Sequence, residues 1–461
     1  MENKLKVCLI FPRLKLSTGD PPLGLLYLAS YLRTFSEVKV SIIDATFHPS
    51  FKYICKKIKE ESPDIAGIYF DTVMYNGALK VAKMTRDLGI FTLAGGPCAA
   101  VRPEGLVDWV DIVVIGEGEE TLKKIIEKFH SKDFTAIKGI WYKSGKEIFK
   151  NSSRTYIENL DILPFPARDL IEMEFYSKRL IYFDSISTNL RAATMITSRG
   201  CPYRCTFCQP TLEFIFGKKT RRRSPENLIR ELKQIKKEYS LDAIYFHDDV
   251  FTLNHKWLNE FCGLMERENL NLIWGCNSRV DSLDKKLMER MYSAGLRVLH
   301  LGVESASEKV LNEIYNKGIS IEQAKLTIKQ AKEIGIKVMS FFMLGAPGET
   351  ADEIKETIAF ADSLPIDEAT FSLVTPLPGT FLYRMVKDNH KFRLDDNLNN
   401  FNYYSQYAFK NPDISYPVLK YLQIKALIKF YCNPRRSNYI FKHLFSEWGW
   451  IKLRQKIYRF L

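Results

Sequence analysis

Twice along this chain, short runs of β-branched and aliphatic residues alternate with amphipathic stretches of helical length. The alternation leaves little freedom of fold. Strands that each lead into a helix pair in parallel and bury both faces. In the first series, residues 6–11, 38–44, 65–70, 91–94 and 112–115 read as buried strands, with helices at 23–33, 51–59, 77–88 and 119–129. The expected fold class is α/β, beginning with a doubly wound, Rossmann-like parallel sheet. Such sheets bind ligands beyond the carboxyl ends of their strands. Gly24, Gly95, Gly96, Gly116 and Gly118 stand at those ends, with Glu117 between the last two. A lone glycine loop often only makes a turn. Three of them after strands point to a ligand that approaches the backbone closely.

The second series begins near residue 193. Strands are expected at 194–197, 243–247, 272–276, 298–303, 337–343 and 369–374, and helices at 225–238, 256–266, 285–293, 321–334 and 351–364. Six β/α units fit an open partial TIM barrel, in which chemistry gathers in loops at the carboxyl ends of strands. A polar feature follows each of the first five strands: a cysteine run, His247-Asp248-Asp249, Arg279, Glu304-Ser305, and the loop from Gly345 through Gly348 to Glu349. All five fall on one face of the expected barrel. Residues 131–190 read as a connector with a hairpin at 140–142 and 148–149. The expected organisation is a sheet domain at 1–135, a connector at 136–190, the barrel at 191–380 and a helical, basic, aromatic region at 381–461.

The cysteine run is Cys201-Pro-Tyr-Arg-Cys205-Thr-Phe-Cys208. Three thiolates this close can hold three irons of a cubane 4Fe–4S cluster, whereas a ferredoxin-type site supplies four. The next cysteine, Cys262, is too distant to belong to the motif, so the fourth iron stays open to a substrate or cofactor. Zinc motifs usually bring two Cys or His pairs, and no second pair occurs. Cys8, Cys55, Cys98, Cys262, Cys276 and Cys432 are scattered and read as small buried hydrophobes. Neither a disulfide framework nor a secretory leader is expected, which places the chain in a reducing cytoplasm. No apolar run approaches the roughly 18 residues of a membrane span. The net charge of +13 is uneven, since residues 415–461 hold ten Lys or Arg against one Glu. That concentration argues against a general nucleic-acid binder.

The segments at 22–29 (PLGLLYLA), 95–97 (GGP), 116–119 (GEGE), 247–249 (HDD), 302–305 (GVES), 345–350 (GAPGET) and 376–380 (PLPGT), taken with the three cysteines, resemble those of cobalamin-binding radical S-adenosylmethionine (SAM) enzymes. The resemblance runs over roughly residues 1–385. It implies a 4Fe–4S cluster on Cys201, Cys205 and Cys208, SAM on the open iron, and cobalamin on the N-terminal sheet. It also implies that Phe207 packs beside the cluster and that Asp248 or Asp249 meets the methionine amine. Glu304 would lie near the ribose hydroxyls, and Gly345 to Gly348 would let backbone approach the adenosine. Arg279 suits the SAM carboxylate, because guanidinium pairs with it bidentately; a structural ion pair with Asp249 is the alternative.

Two departures stand out. The cobalt-ligand signature Asp-x-His-x-x-Gly is absent, and His48 sits too late after Asp44 to supply it. Thr72, Val73 and Met74 are the candidates for the lower cobalt face. The Gly-Gly-Pro run continues into Cys98 rather than the usual His; that thiol reads as a small loop residue, the alternative being a cobalt ligand. The implied activity is methyl transfer to an unactivated carbon of a small substrate, fed by a flavodoxin- or ferredoxin-type electron donor; the basic aromatic tail leans that substrate towards a lipid or isoprenoid. Cyclisation or carbon–carbon coupling is the alternative. An RNA methylthiotransferase would need a second cluster, and Cys8 and Cys55 sit inside an expected strand and helix. In the last helix, Trp450, Leu453, Ile457, Phe460 and Leu461 share a face opposite Lys452, Gln455, Lys456 and Arg459. That pattern suits peripheral contact with anionic lipid, or a terminal helix docked on the barrel with its basic face in solvent.

Overall fold

Seven strands build the first sheet: β1 (Leu5–Phe11), β2 (Val38–Asp44), β3 (Ile65–Tyr69), β4 (Phe91–Gly95), β5 (Ile112–Val114), β6 (Ile140–Ser144) and β7 (Glu147–Lys150). Their order is β2-β1-β3-β4-β5-β6-β7, with the first five parallel. Alternate residues of β1 enter opposite cores. Val7, Leu9 and Phe11 pack with Leu25, Ala29 and Leu32, while Cys8 and Ile10 pack with Ile54, Ile58 and Val81. Burial on both faces is why these strands read as unbroken apolar runs. The hairpin expected in the connector instead extends this sheet, antiparallel to β5. Ile140 and Tyr142 bring it in, packing with Phe134 and Ile137 in the same core.

The computed structural model describes residues 4–14, 20–395, 397–403 and 408–458. The chain divides into two units. One comprises Met1–Thr18, Pro22–Met173 and Pro210–Arg221, and the other Gly19–Pro21, Glu174–Gln209 and Arg222–Leu461.

The second unit is an open barrel of six parallel strands: Ala192–Met195, Ala243–Phe246, Ile273–Arg279, Leu296–Glu304, Lys337–Leu344 and Glu368–Leu373. They lie side by side in chain order, so the first and last form the two edges. Five flanking helices start at Ser224, Asn254, Asp284, Ser320 and Thr350, whose side chains each accept a first-turn N–H. These are the residue types that cap orphan helix donors best. Phe246, Phe251, Phe261 and Trp274 fill the layer between sheet and helices. The first strand lies two residues earlier than its pattern suggests. The N–H and hydroxyl of Thr197 leave the ladder to bind the Asp248 carboxylate.

The C-terminal region is not a separate body; it belongs to the barrel unit. Helix Tyr416–Tyr431 covers the edge strand Glu368–Leu373. Gln423 donates to the Phe371 carbonyl at 2.8 Å, and the Tyr431 hydroxyl donates to the Ala369 carbonyl at 2.9 Å. Helices Ser437–Leu444 and Gly449–Tyr458 follow. The basic face of the last helix is not in solvent, as its pattern suggested. Lys452 lies 3.0 Å and Lys456 2.8 Å from the fully buried Asp184, which His443 also contacts at 3.1 Å. Lys456 also reaches Glu368 at 3.3 Å. Trp450 and Ile457 face outward instead. Arg459, Phe460 and Leu461 lie outside the described residues. The orientation follows from the cost of burying a carboxylate without a partner.

Burial works to raise the Asp184 carboxyl, but Lys456, the His443 hydrogen bond and Lys452 together hold it well below the usual range. A carboxyl depressed in the folded state stabilises fully above its unfolded value of about 4 and loses that contribution as pH falls further. Asp184→Ala leaves the buried Lys452 without its carboxylate partner, while Lys456 keeps Glu368. It should lower the unfolding free energy of the barrel unit by about 3–5 kcal/mol at pH 7, measured by urea titration. The gap from wild type should narrow towards pH 3.

Candidate active site

The cysteine loop leaves the first barrel strand and is braced before any cluster binds. The Thr206 hydroxyl donates to the Ile314 carbonyl at 2.6 Å, and its N–H bonds the Tyr315 carbonyl. Buried Gln209 donates to the Cys201 carbonyl at 3.1 Å. Cys205 is buried, Cys201 half-buried and Cys208 exposed. Burial pushes the half-buried Cys201 thiol up to about 11, and Asp249 adds to that rise. The carboxylate of Asp249 is therefore a neighbour of the cysteine cradle. Iron would displace these thiol protons on binding, as metals do at cysteine sites. Phe207 packs edge-on to Tyr315, with centroids 5.4 Å apart.

The two aspartates after the second strand have different tasks. Asp248 is buried and saturated. It accepts from the N–H and hydroxyl of Thr197 and from the Ser198 hydroxyl. Asp249 keeps accessible surface. Burial, then the neighbouring charge of Asp248, pushes its carboxyl up to about 6. Asp249 is thus the member of the pair able to meet a ligand cation, and Asp248 positions the turn.

Arg279 is engaged by other residues of the chain. Its guanidinium is held bidentately by Asp281, with both contacts at 2.8 Å, and donates to the Lys317 carbonyl at 2.5 Å. It also donates to Cys205 Sγ at 3.4 Å and stacks over the Tyr203 ring. Most of the fork is committed within the chain, and one of its contacts is the Cys205 thiol of the cysteine loop. Its carboxylate partner is Asp281, not Asp249. Glu304 is likewise engaged, in a buried ion pair with Lys317 at 2.5 Å. Its backbone is left-handed, with φ of 72°. Gly302 makes room for this pair, since a Cβ there would collide with both charged groups. Sequence reasoning missed Lys317 and Asp281. The Arg-x-Asp spacing hinted at the latter; nothing local pointed to Lys317.

The glycines also separate. Gly348 faces open space, whereas a Cβ at Gly345 would strike Leu419 of helix Tyr416–Tyr431. Gly345 therefore serves the chain's own packing. In the first unit, a Cβ at Gly24 or Gly95 would meet nothing, which leaves both backbones open to a ligand. Gly96 is closed off by the Phe70 carbonyl, Gly118 lies tight against Leu28, and Gly116 has ordinary clearance. Glu117 is spent on Arg221 at 3.0 Å and on the Ile157 N–H at 2.8 Å. Thr72 lies in the turn after β3, half-buried. The β1/β3 junction is the switch point of this strand order, where doubly wound sheets take ligands. His48 stacks on Tyr53 and lies 3.4 Å from Glu172. Cys98 sits in a core helix, its thiol pushed up to about 12 by burial. Cys8 is buried in β1, and Cys55 lies against Met84.

The comparisons agree with this geometry. The Radical SAM superfamily model matches residues 195–361, and the B12 binding domain model matches residues 17–126. The uncharacterized methyltransferase PH0819 of Pyrococcus horikoshii is 34% identical over 97% of this chain and 96% of its own length. The anaerobic magnesium-protoporphyrin IX monomethyl ester cyclase of Rubrivivax gelatinosus is 30% identical over 80% of this chain and 66% of its own. The solved methyltransferase TsrM of Kitasatospora setae, with cobalamin and a [4Fe–4S] cluster bound, has a TM-score of 0.71, covering 86% of this chain and 81% of that one at 17% identity. That last match is a likeness of fold. The chain belongs to the cobalamin-binding radical SAM enzymes. The cofactors of that class are a 4Fe–4S cluster, SAM and cobalamin, and the three thiols of the braced loop and the open backbones at Gly24 and Gly95 fit them.

Exchanging the paired aspartates should separate their tasks. Asp249→Asn should weaken SAM binding by at least tenfold, with little change in melting temperature. Asp248→Asn should instead lower the melting temperature, because it unpicks the Thr197–Ser198 turn. Equilibrium dialysis of SAM and thermal melts of the anaerobic enzyme would check both.

Proposed function

We propose that this enzyme transfers a methyl group to an unactivated carbon of a small, lipid- or isoprenoid-like substrate. The near-full-length match to a relative named as a methyltransferase carries the reading. The chemistry supplied by the bound groups is a 5′-deoxyadenosyl radical for hydrogen abstraction and a methyl group carried on cobalamin. The chain's own part is to hold and orient them. Arg279, the Thr206 bonds and Gln209 fix the cysteine loop. Asp249 receives the methionine amine, and the open backbones at Gly24 and Gly95 admit the corrinoid beyond the carboxyl ends of the first sheet. A flavodoxin- or ferredoxin-type protein supplies electrons. The match to a cyclase supports a second reading, ring closure without methyl transfer.

The two readings differ in by-products. Anaerobic turnover with a total lipid extract should give S-adenosylhomocysteine and 5′-deoxyadenosine in equal amounts, each matching methylated product. Cyclisation would give 5′-deoxyadenosine without S-adenosylhomocysteine. Cys205→Ala should abolish both.

The lipid-like substrate draws support from the C-terminal helices. Tyr421 is 61%, Ile428 58%, Phe445 82% and Trp450 57% exposed. Lys425, Lys429 and Arg454 lie exposed among them. No helix is long and apolar enough to cross a membrane among the described residues. Exposed cations gain about 1 kcal/mol each near an anionic surface, so the enzyme is proposed to rest reversibly on such a surface. Removing the tail would also strip the barrel edge, so substitution is the cleaner test. At low salt the wild type should sediment with phosphatidylglycerol vesicles and the triple variant I428S/F445S/W450S should not. If both stay in the supernatant, the helices are only structural cover.

A further inference from the structure

Three side chains of the barrel unit form a hydrogen-bonded relay that the cluster and SAM sites do not use. Tyr182 precedes the first barrel strand and His247 follows the second. Asp20 lies in the short Gly19–Pro21 stretch that belongs to this unit. The Tyr182 hydroxyl lies 2.6 Å from Asp20 Oδ1 and 2.9 Å from His247 Nε2. A hydroxyl carries one proton, and an ionised carboxylate can only accept. Tyr182 therefore donates to Asp20 and accepts from His247. That assigns the proton of the neutral imidazole to Nε2 and leaves Nδ1 as a lone-pair acceptor. Among the described residues Nδ1 has no protein partner, and the His247 side chain is exposed.

The relay is mounted on an aromatic wall. Tyr182 stacks on Tyr245 with ring centroids 3.9 Å apart. His300 lies 4.9 Å from Tyr245 and 5.5 Å from Tyr182, and Phe341 lies 5.8 Å from His300. Strand register sets Tyr245 beside Gly275, and His300 beside Asn277. Tyr245 and the helix-facing Phe246 are consecutive and so point to opposite faces, which places the Tyr245 wall inside the barrel. His300 is 2% exposed, and neither ring nitrogen has a hydrogen-bond partner. Burial pushes its imidazole down to about 3, so it stays neutral. Tyr245 and His300 are buried; the rings that keep accessible surface, Tyr182 and Phe341, are uncharged, and His247 Nδ1 is the outward acceptor beside Tyr182. Such a surface disfavours a charged group and tolerates a hydroxyl. His247 stands two residues before Asp249, in the turn that borders the cysteine cradle.

We propose that His247 Nδ1 is a substrate-recognition site that accepts a hydrogen bond from a hydroxyl of an otherwise apolar substrate, with Tyr182 and Asp20 fixing its tautomer. The inference rests on the lipid-like substrate reading and specifies it: the substrate is an alcohol. Tyr182 acts through His247 and is a positioning residue.

Farnesol and its methyl ether are suitable probes, in equilibrium dialysis against the anaerobic holoenzyme. The wild type should hold the alcohol about tenfold tighter, the worth of one neutral hydrogen bond. His247→Phe should keep the affinity for the ether and lose the preference. Tyr182→Phe should bind both with a preference reduced severalfold. Equal affinity of the wild type for alcohol and ether overturns the proposal. If neither probe binds, the lipid-like reading fails, and His247 is decided separately by nitrogen-15 NMR of the oxidised, diamagnetic holoenzyme. With seven histidines the spectrum is tractable. An Nε2–H tautomer at His247 that is lost in Tyr182→Phe supports the relay. An Nδ1–H tautomer overturns it.

Discussion

An open barrel has two edges, and closing them governs much of the second unit. Six parallel strands in chain order leave unpaired backbone on the outer side of Glu368–Leu373. Unpaired edges are costly when buried and sticky when exposed. Here side chains of helix Tyr416–Tyr431 do the work of a missing strand, with Gln423 and Tyr431 bonding Phe371 and Ala369. The last helix then joins the two ends of the sheet. Lys456 contacts Asp184, ahead of the first strand, and Glu368, the first residue of the last strand. The basic tail is thus structural on its inner side and free only on its outer side.

A second constraint acts at the cysteine loop. Parallel strands deliver every following loop to one end of the barrel, so the loops compete for space and must brace one another. The chain Asp281–Arg279–Lys317–Glu304 does this. Arg279 ties Cys205 to the loop holding Lys317, and Lys317 ties that loop to the fourth strand. Buried charges persist because each is paired and hydrogen-bonded. The arrangement holds the cysteine loop still, and it leaves Arg279 engaged by Asp281 and Glu304 by Lys317.

The division of labour between Asp248 and Asp249 has the same origin. Adjacent residues at a strand end point to opposite sides. One carboxylate turns back into donors from Thr197 and Ser198, and the other is left facing the cradle. The same alternation sets the aromatic rings of Phe246 against the helices and that of Tyr245 against the barrel interior.

Much of this was legible in the sequence. Period-two and helical patterns depend on neighbours within a few residues, so all five strands of the first series and all six of the second were readable, as was the cluster motif with its three-residue and two-residue spacings. Capping residues such as Thr350 with Glu353 are equally local. Tertiary structure alone decided which charges meet. Arg279 and Glu304 are paired by residues that only the fold brings near or turns towards them. The lysines of the last helix face inward towards Asp184, a buried carboxylate more than 250 residues earlier. The relay of Asp20, Tyr182 and His247 spans three separate segments. Local pattern encodes burial and secondary structure; the partner of a buried charge is set by distance in space, which the order of residues does not record.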